Sequence, residues 1–172
     1  LGLSMGPDVQ YGAALALALV GDASRTMALA NDLGHRFPEG TEVQLTRLPT
    51  IRAQLALSHN DAAEALEALQ TAAPYELADG LYPVYVHGEV YLAAHQGIEA
   101  AAEFQKILNH RGIVLNEPIG ALAHLQVGRA YAMQGDTAKA KAAYQDFLTL
   151  WKDADPDIPI FIAAKAEYAK LK

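Results

Sequence analysis

The side chains in this 172-residue chain that could do chemistry are six histidines and twenty carboxylates; there is no cysteine. Spacing decides what they can do. His35, His59, His87, His95, His110 and His124 form no His-Glu-x-x-His run and no close metal-ligand cluster. His87 and His95 stand about two helical turns apart, too far to share one ion. His87 abuts Gly88 and reads as a partly buried, hydrogen-bonded residue rather than a general base. The pairs Glu64/Glu67 and Asp153/Asp155 read as solvated surface charge rather than a glycosidase dyad. Ser4, Ser24 and Ser58 lack a nucleophile-elbow context. Gly21-Asp22 and Gly135-Asp136 are not phosphate cradles, because an Asp opening a helix repels phosphate. No catalytic residue, metal or cofactor is expected.

Ala and Leu dominate while Val, Ile and Thr are sparse, a mix that favours helix over sheet. A chain of this length buries enough surface to fold without a disulfide or metal staple. The net charge of −7, with no Lys/Arg cluster, argues against nucleic acid as a partner. No apolar run approaches the roughly 20 residues that span a bilayer, so direct membrane insertion is not expected. The absence of cysteine leaves the compartment open. Leu1-Gly2-Leu3-Ser4 has neither an initiator Met nor a basic signal-peptide start, and reads as the beginning of a fragment of a longer protein.

Comparing the sequence with itself reveals a repeat. Gly128, Tyr131, Ala140 and Tyr144 fall on Gly88, Tyr91, Ala100 and Phe104, then on Ala53, Ala56, Ala65 and Leu69, and lastly on Ala14, Leu17, Thr26 and Ala30. The turns agree: Gly21-Asp22, Asn60-Asp61 and Gly135-Asp136 each offer a left-handed helix stop followed by an Asp that caps the next helix. The third unit reads His95-Gln96-Gly97, so its turn is expected later and without the Asp cap. Gly88 and Gly128 should let paired helices approach closely, with Phe104 and Tyr144 filling the gap beyond.

The expected helices are 7–20, 23–36, 41–58, 61–72, 82–96, 98–110, 117–134 and 137–152. A capping helix at 158–171, starting at Asp157, puts Phe161, Ala164, Tyr168 and Leu171 on one face. Pro49 should kink its helix or begin a new one. In the long connection 110–118, Asn116 is expected to cap a helix with Pro118 in its first turn. The expected fold class is all-α: about four hairpins (7–36, 41–72, 82–110, 117–152) and a cap, one domain over 1–172, stacked as an α-α solenoid.

The pattern resembles the tetratricopeptide repeat family. The nearest match is 128-GRAYAMQGDTAKAKAAYQDFL-148, followed by 88-GEVYLAAHQGIEAAAEFQKIL-108 and 21-GDASRTMALANDLGHRFP-38, and the resemblance covers roughly residues 7–152. It implies a right-handed superhelix whose first helices line a concave, peptide-binding side. More narrowly, 48–97 and 121–160 resemble the repeat-bearing C-terminal regions of certain bacterial serine/threonine protein kinases, which implies an N-terminal kinase domain in the parent and a docking or sensing role for the repeats. The chain itself has no glycine loop, catalytic Asp loop or Asp-Phe-Gly element, and His110-Arg111-Gly112 is not His-Arg-Asp.

By register, Tyr82, Tyr85 and Glu89 correspond to Leu122, Leu125 and Arg129, and to Arg47, Thr50 and Gln54; Met133 and Tyr11 join them. Tyr11, Arg47, Gln54, Tyr82, Tyr85, Glu89, Leu125, Arg129 and Met133 are therefore the candidate groove residues, of types that anchor peptides. The competing reading packs Tyr82 and Tyr85 onto Tyr75 and its loop. The Lys/Asn/Arg clamp with which relatives hold the acidic tails of heat-shock chaperones has no counterpart here. The expected function is a non-catalytic module binding a protein or peptide segment; the alternative is a self-association (homo-oligomer) or spacer domain of a parent kinase.

Overall fold

The computed structural model describes residues 6–78 and 80–171, and among these the regular elements are all helical. They are α1 (Pro7–Leu19), α2 (Ala23–Arg36), a π-helical turn (Val43–Arg47) leading into α3 (Leu48–Ser58), α4 (Ala62–Gln70), a 3₁₀ turn (Ala73–Tyr75), α5 (Tyr82–Ala93), α6 (Gly97–Asn109), α7 (Arg111–Val114), α8 (Pro118–Met133), α9 (Thr137–Leu150) and α10 (Pro159–Lys170). No helix among the described residues is long and apolar enough to cross a membrane.

Four antiparallel pairs form: α1 with α2, α3 with α4, α5 with α6, and α8 with α9. The first helices neighbour one another in chain order, each later one also resting on the second helix of the pair before it, and α10 packs on α9. The buried apolar residues gather at these junctions. Tyr11, Leu33 and Ile51 lie at the first, and Ala53, Leu69 and Val90 at the second. Phe104, Ile107 and Val127 lie at the third, and Leu125 and Phe147 meet Phe161 of α10 at the last. One pair cannot cover its own apolar stripe, so each junction stabilises both neighbours.

The helix ends follow the turn chemistry. Gly21, Asn60 and Gly135 take positive φ (73°, 62° and 78°), and the next residue caps the following helix: Asp22 accepts from Arg25 N at 3.1 Å, Asp61 from Glu64 N at 2.9 Å, and Asp136 from Lys139 N at 3.1 Å. Asp61→Ala leaves that donor to water and should cost about 1 kcal/mol, read as a lower urea midpoint at unchanged slope.

The third turn differs from its expectation in position. His95 itself takes φ 58°, in the same place as the other stops, and Gln96 is the N-cap with no side-chain bond. Gly97 serves a different purpose: a Cβ there would lie 3.0 Å from the Ala130 carbonyl oxygen and 3.1 Å from Gln134 Cγ. The glycine is set by contact with α8, and Gln134 Nε2 donates to its carbonyl at 2.7 Å.

The cap before Pro118 is also corrected. Glu117, not Asn116, is the N-cap residue of α8, held extended (ψ 139°) as a residue before proline must be. Its carboxylate is free to reach across to α5. Arg111–Val114 forms a further short helix in the long connection. At Pro49 the chain does change helix type. The π turn ends at Arg47 and α3 begins at Leu48, which absorbs the missing proline donor, while Thr50 Oγ1 donates to the Thr46 carbonyl at 2.7 Å. The capping helix begins at Pro159 rather than Asp157 and buries Phe161 and Ala164, with Tyr168 and Leu171 packed beside them.

Candidate binding site on the first helices

The nine groove candidates separate into two clusters and three single positions. The first cluster gathers the beginnings of α1, the π turn, α5 and α8. Tyr11 and Tyr82 meet edge to face with centroids 6.1 Å apart, and the Arg47 guanidinium lies 5.3 Å over the Tyr11 ring. Arg47 is 5% exposed and pairs with Asp8 at 2.8 Å and Glu42 at 2.7 Å. Tyr82 donates its hydroxyl to Glu117 Oε2 at 2.7 Å; burial first, then that carboxylate, push its pKa above the ordinary phenol value. Asp8, Tyr11, Gly12, Leu15, Ala16, Leu19, Arg47, Gly80, Tyr82 and Glu117 line a cleft of about 410 Å³ here. Its floor is aromatic and aliphatic, and Asp8 and Glu117 stand exposed at its edge.

The second cluster runs across α5, α8 and α10. Gln126 Nε2 donates to both Tyr85 Oη and Glu89 Oε1 at 3.0 Å, while Gln126 Oε1 accepts from Arg129 at 3.1 Å. Arg129 grips Glu167 of α10 through two bonds of 2.8 Å, and Tyr144 donates to the same carboxylate at 2.6 Å. Burial drives the Glu89 pKa up to about 7, against the pull of Tyr85, Arg129 and Gln126. Burial raises Tyr85 as well. Burial works against Arg129 and Glu167 too, but their mutual bonds outweigh it, so Arg129 lies above and Glu167 below its ordinary range. Such a chain of paired groups ties α10 to α8 and fixes the spacing of the first helices.

Of the single positions, Gln54 is 5% exposed and Leu125 has no accessible surface, being enclosed with Tyr144, Phe147, Phe161 and Ala164 beneath α10. Leu125 therefore offers nothing to a ligand; the capping helix lies where a groove surface was expected. Met133 is 41% exposed. Tyr85, 7% exposed, sets its ring edge to face against Phe104 with centroids 5.7 Å apart.

Sequence reasoning missed Gln126, the hub of the second cluster. Its register equivalents Ile51 and Val86 are buried and apolar, and a glutamine at such a position is the available signal. It also missed that Glu76, His87 and Glu103 each bring a ligand atom within 4.8 Å of the others. Lys106 Nζ stands 3.0 Å from both carboxylates and is the cation of that group. His87 stacks on Tyr91, and burial lowers its pKa. Glu64, Glu67, Asp153 and Asp155 are all exposed.

Neither a family model nor a curated protein matches this sequence.

Proposed function

We propose that the chain is a non-catalytic protein-interaction module of the tetratricopeptide-repeat kind, its hairpins wound as a right-handed superhelix and its first helices holding a peptide segment. The cleft that runs along α1 and is closed by the starts of α5 and α8 is the observation that carries this function. Exposed apolar groups there, Leu19 at 55% and Ala16 beside it, accept an aliphatic side chain, while Asp8 and Glu117 favour a neighbouring Lys or Arg. The preferred ligand is an extended segment in which an aliphatic residue stands next to a basic one, and the −7 net charge draws it in. In a longer protein, such as a serine/threonine kinase, the module docks that protein onto its partner.

The test uses a fluorescent peptide array probed with the intact chain. Aliphatic–basic peptides should be enriched, and Glu117→Lys should weaken the best of them about tenfold, the equivalent of 1.4 kcal/mol. Raising salt should weaken them as well. Enrichment of peptides without basic residues, or equal affinity in Glu117→Lys, would rule out this cleft as the binding site.

A further inference from the structure

His87 of α5 and Glu103 of α6 stand at positions that are apolar one hairpin later. The register that sets Gly88 on Gly128 and Phe104 on Tyr144 sets these two on Val127 and Ala143, both buried. The hairpin therefore closes without a polar pair here, and burying a carboxylate in its place costs stability unless something satisfies it. Glu103 is 7% exposed, and its Oε2 is enclosed without a hydrogen bond among the described residues. Lys106 Nζ, 3.0 Å away, approaches that oxygen as an ionic contact outside hydrogen-bonding geometry. Glu76, just past the 3₁₀ turn, brings a second carboxylate to the same place, with its Oε1 3.0 Å from the same ammonium. His87 turns Nδ1 toward Glu103 Oε1 at 3.9 Å, and its ring is stacked on Tyr91 with centroids 4.6 Å apart.

We propose that Glu76, His87 and Glu103 form a binding site for a divalent transition-metal ion, with Zn²⁺ the ion that suits the donors. Their ligand atoms already lie within 4.8 Å of one another. Bonds of about 2.0–2.2 Å to one ion draw them together by about 1 Å. Glu76 lies outside the long helices and is free to follow. One imidazole nitrogen with two carboxylates suits Zn²⁺ better than Mg²⁺ or Ca²⁺, which prefer oxygen alone, and three protein donors leave the fourth position to water. Lys106 is the group the ion displaces. Two carboxylates against one ammonium leave the cluster net negative, whereas a doubly charged ion balances both and gives Glu103 Oε2 a partner. The Lys106 side chain is 37% exposed, so its ammonium has a short path into water. The bound ion ties the connection after α4 to the α5–α6 pair, and none of its three ligands lines the peptide cleft.

The probe is Zn²⁺ itself, titrated by calorimetry into the full chain in chelator-treated buffer at neutral pH, with Co²⁺ as the spectroscopic reporter. The expected result is a single ion bound per chain in the micromolar range, with a higher melting temperature. His87→Gln removes the nitrogen donor and should weaken Zn²⁺ at least about tenfold, with loss of the Co²⁺ visible band. Lys106→Met keeps the aliphatic stem and removes the competing ammonium, so it should bind Zn²⁺ about tenfold more tightly than the native chain. A gain of affinity is an outcome that misfolding does not mimic. No binding at millimolar Zn²⁺ would overturn the proposal. Binding that persists unchanged in His87→Gln would mean an adventitious ion only, held elsewhere on the surface. Equal or weaker affinity in Lys106→Met would show that the ion does not take the place of the ammonium, and would overturn the site as well.

Discussion

Gly88→Leu is expected to lower the unfolding free energy by about 3 kcal/mol, the upper end of ordinary overpacking. A Cβ at residue 88 would sit 2.6 Å from Phe104 Cζ, with Cε1 and Cε2 of the same ring at 2.7 and 2.9 Å. The ring has no room to retreat, since Phe104 has no accessible surface and Tyr85 stands against it with centroids 5.7 Å apart. Gly88→Ala isolates the clash: helix propensity returns about 1 kcal/mol, so its net cost should be smaller, about 1–2 kcal/mol. Shortening the opposing ring provides the control. In a Gly88→Ala background, Phe104→Leu should cost less than it does alone, giving a coupling of at least about 1 kcal/mol in a double-mutant cycle of urea denaturation. Gly128→Ala should be milder, because its nearest ring atom, Tyr144 Cδ2, lies at 2.9 Å and the Tyr144 hydroxyl reaches the part-exposed Glu167. Additive effects at Gly88 and Phe104 would mean that the close approach does not hold this hairpin together.

These glycines explain why the helical organisation was legible in the sequence. A position that only glycine fits, opposite an aromatic at a fixed offset, recurs in the last two hairpins (Gly88 with Phe104, Gly128 with Tyr144), and an αL residue followed by Asp recurs in three of the four. Both are requirements that few residue types meet, so they leave a mark in the sequence. His95 shows the limit of this. A non-glycine can take the left-handed stop at modest strain, so the neighbouring Gly97 misdirected the expected turn, although its actual cause is the Ala130 carbonyl of a helix that lies far along the chain.

The site was less legible, for a physical reason. Register tells which side of a helix a residue occupies but not what else reaches that side. Leu125 sits at a groove position by register and is sealed by α10, while Arg129 and Tyr144 are drawn into the Glu167 contact from the same helix. Arg47 and Tyr11 carry the chemistry of anchors, yet each is mostly buried against the other. The Gln126 hub depends on where α5 and α8 meet, which no single-helix pattern encodes. The cleft itself needs the Tyr82–Glu117 bond between residues in different hairpins.

Glu89 provides the sharpest test of that hub. Its carboxyl pKa of about 7 in the fold stands above the ordinary 4.5, so between those two values the folded chain holds more protons than the unfolded one. Stability from this group is complete below about pH 4.5 and is lost as pH rises through 7. The groups that face it are Tyr85 on its own helix, and Gln126 and Arg129 on α8, with Glu167 of α10 behind Arg129. Gln at position 89 keeps an acceptor for Gln126 and carries no charge. Glu89→Gln should therefore be more stable than the native chain by about 1–3 kcal/mol at pH 8 and nearly equal to it at pH 4.5. His87 and His124, whose pKa values are lowered chiefly by burial, add a slope of the opposite sign in both proteins. The readout is therefore the difference between the two urea curves at each pH. A difference that stays constant from pH 4.5 to 8 would mean that Glu89 remains ionised throughout and that water, rather than Gln126 and Arg129, satisfies it.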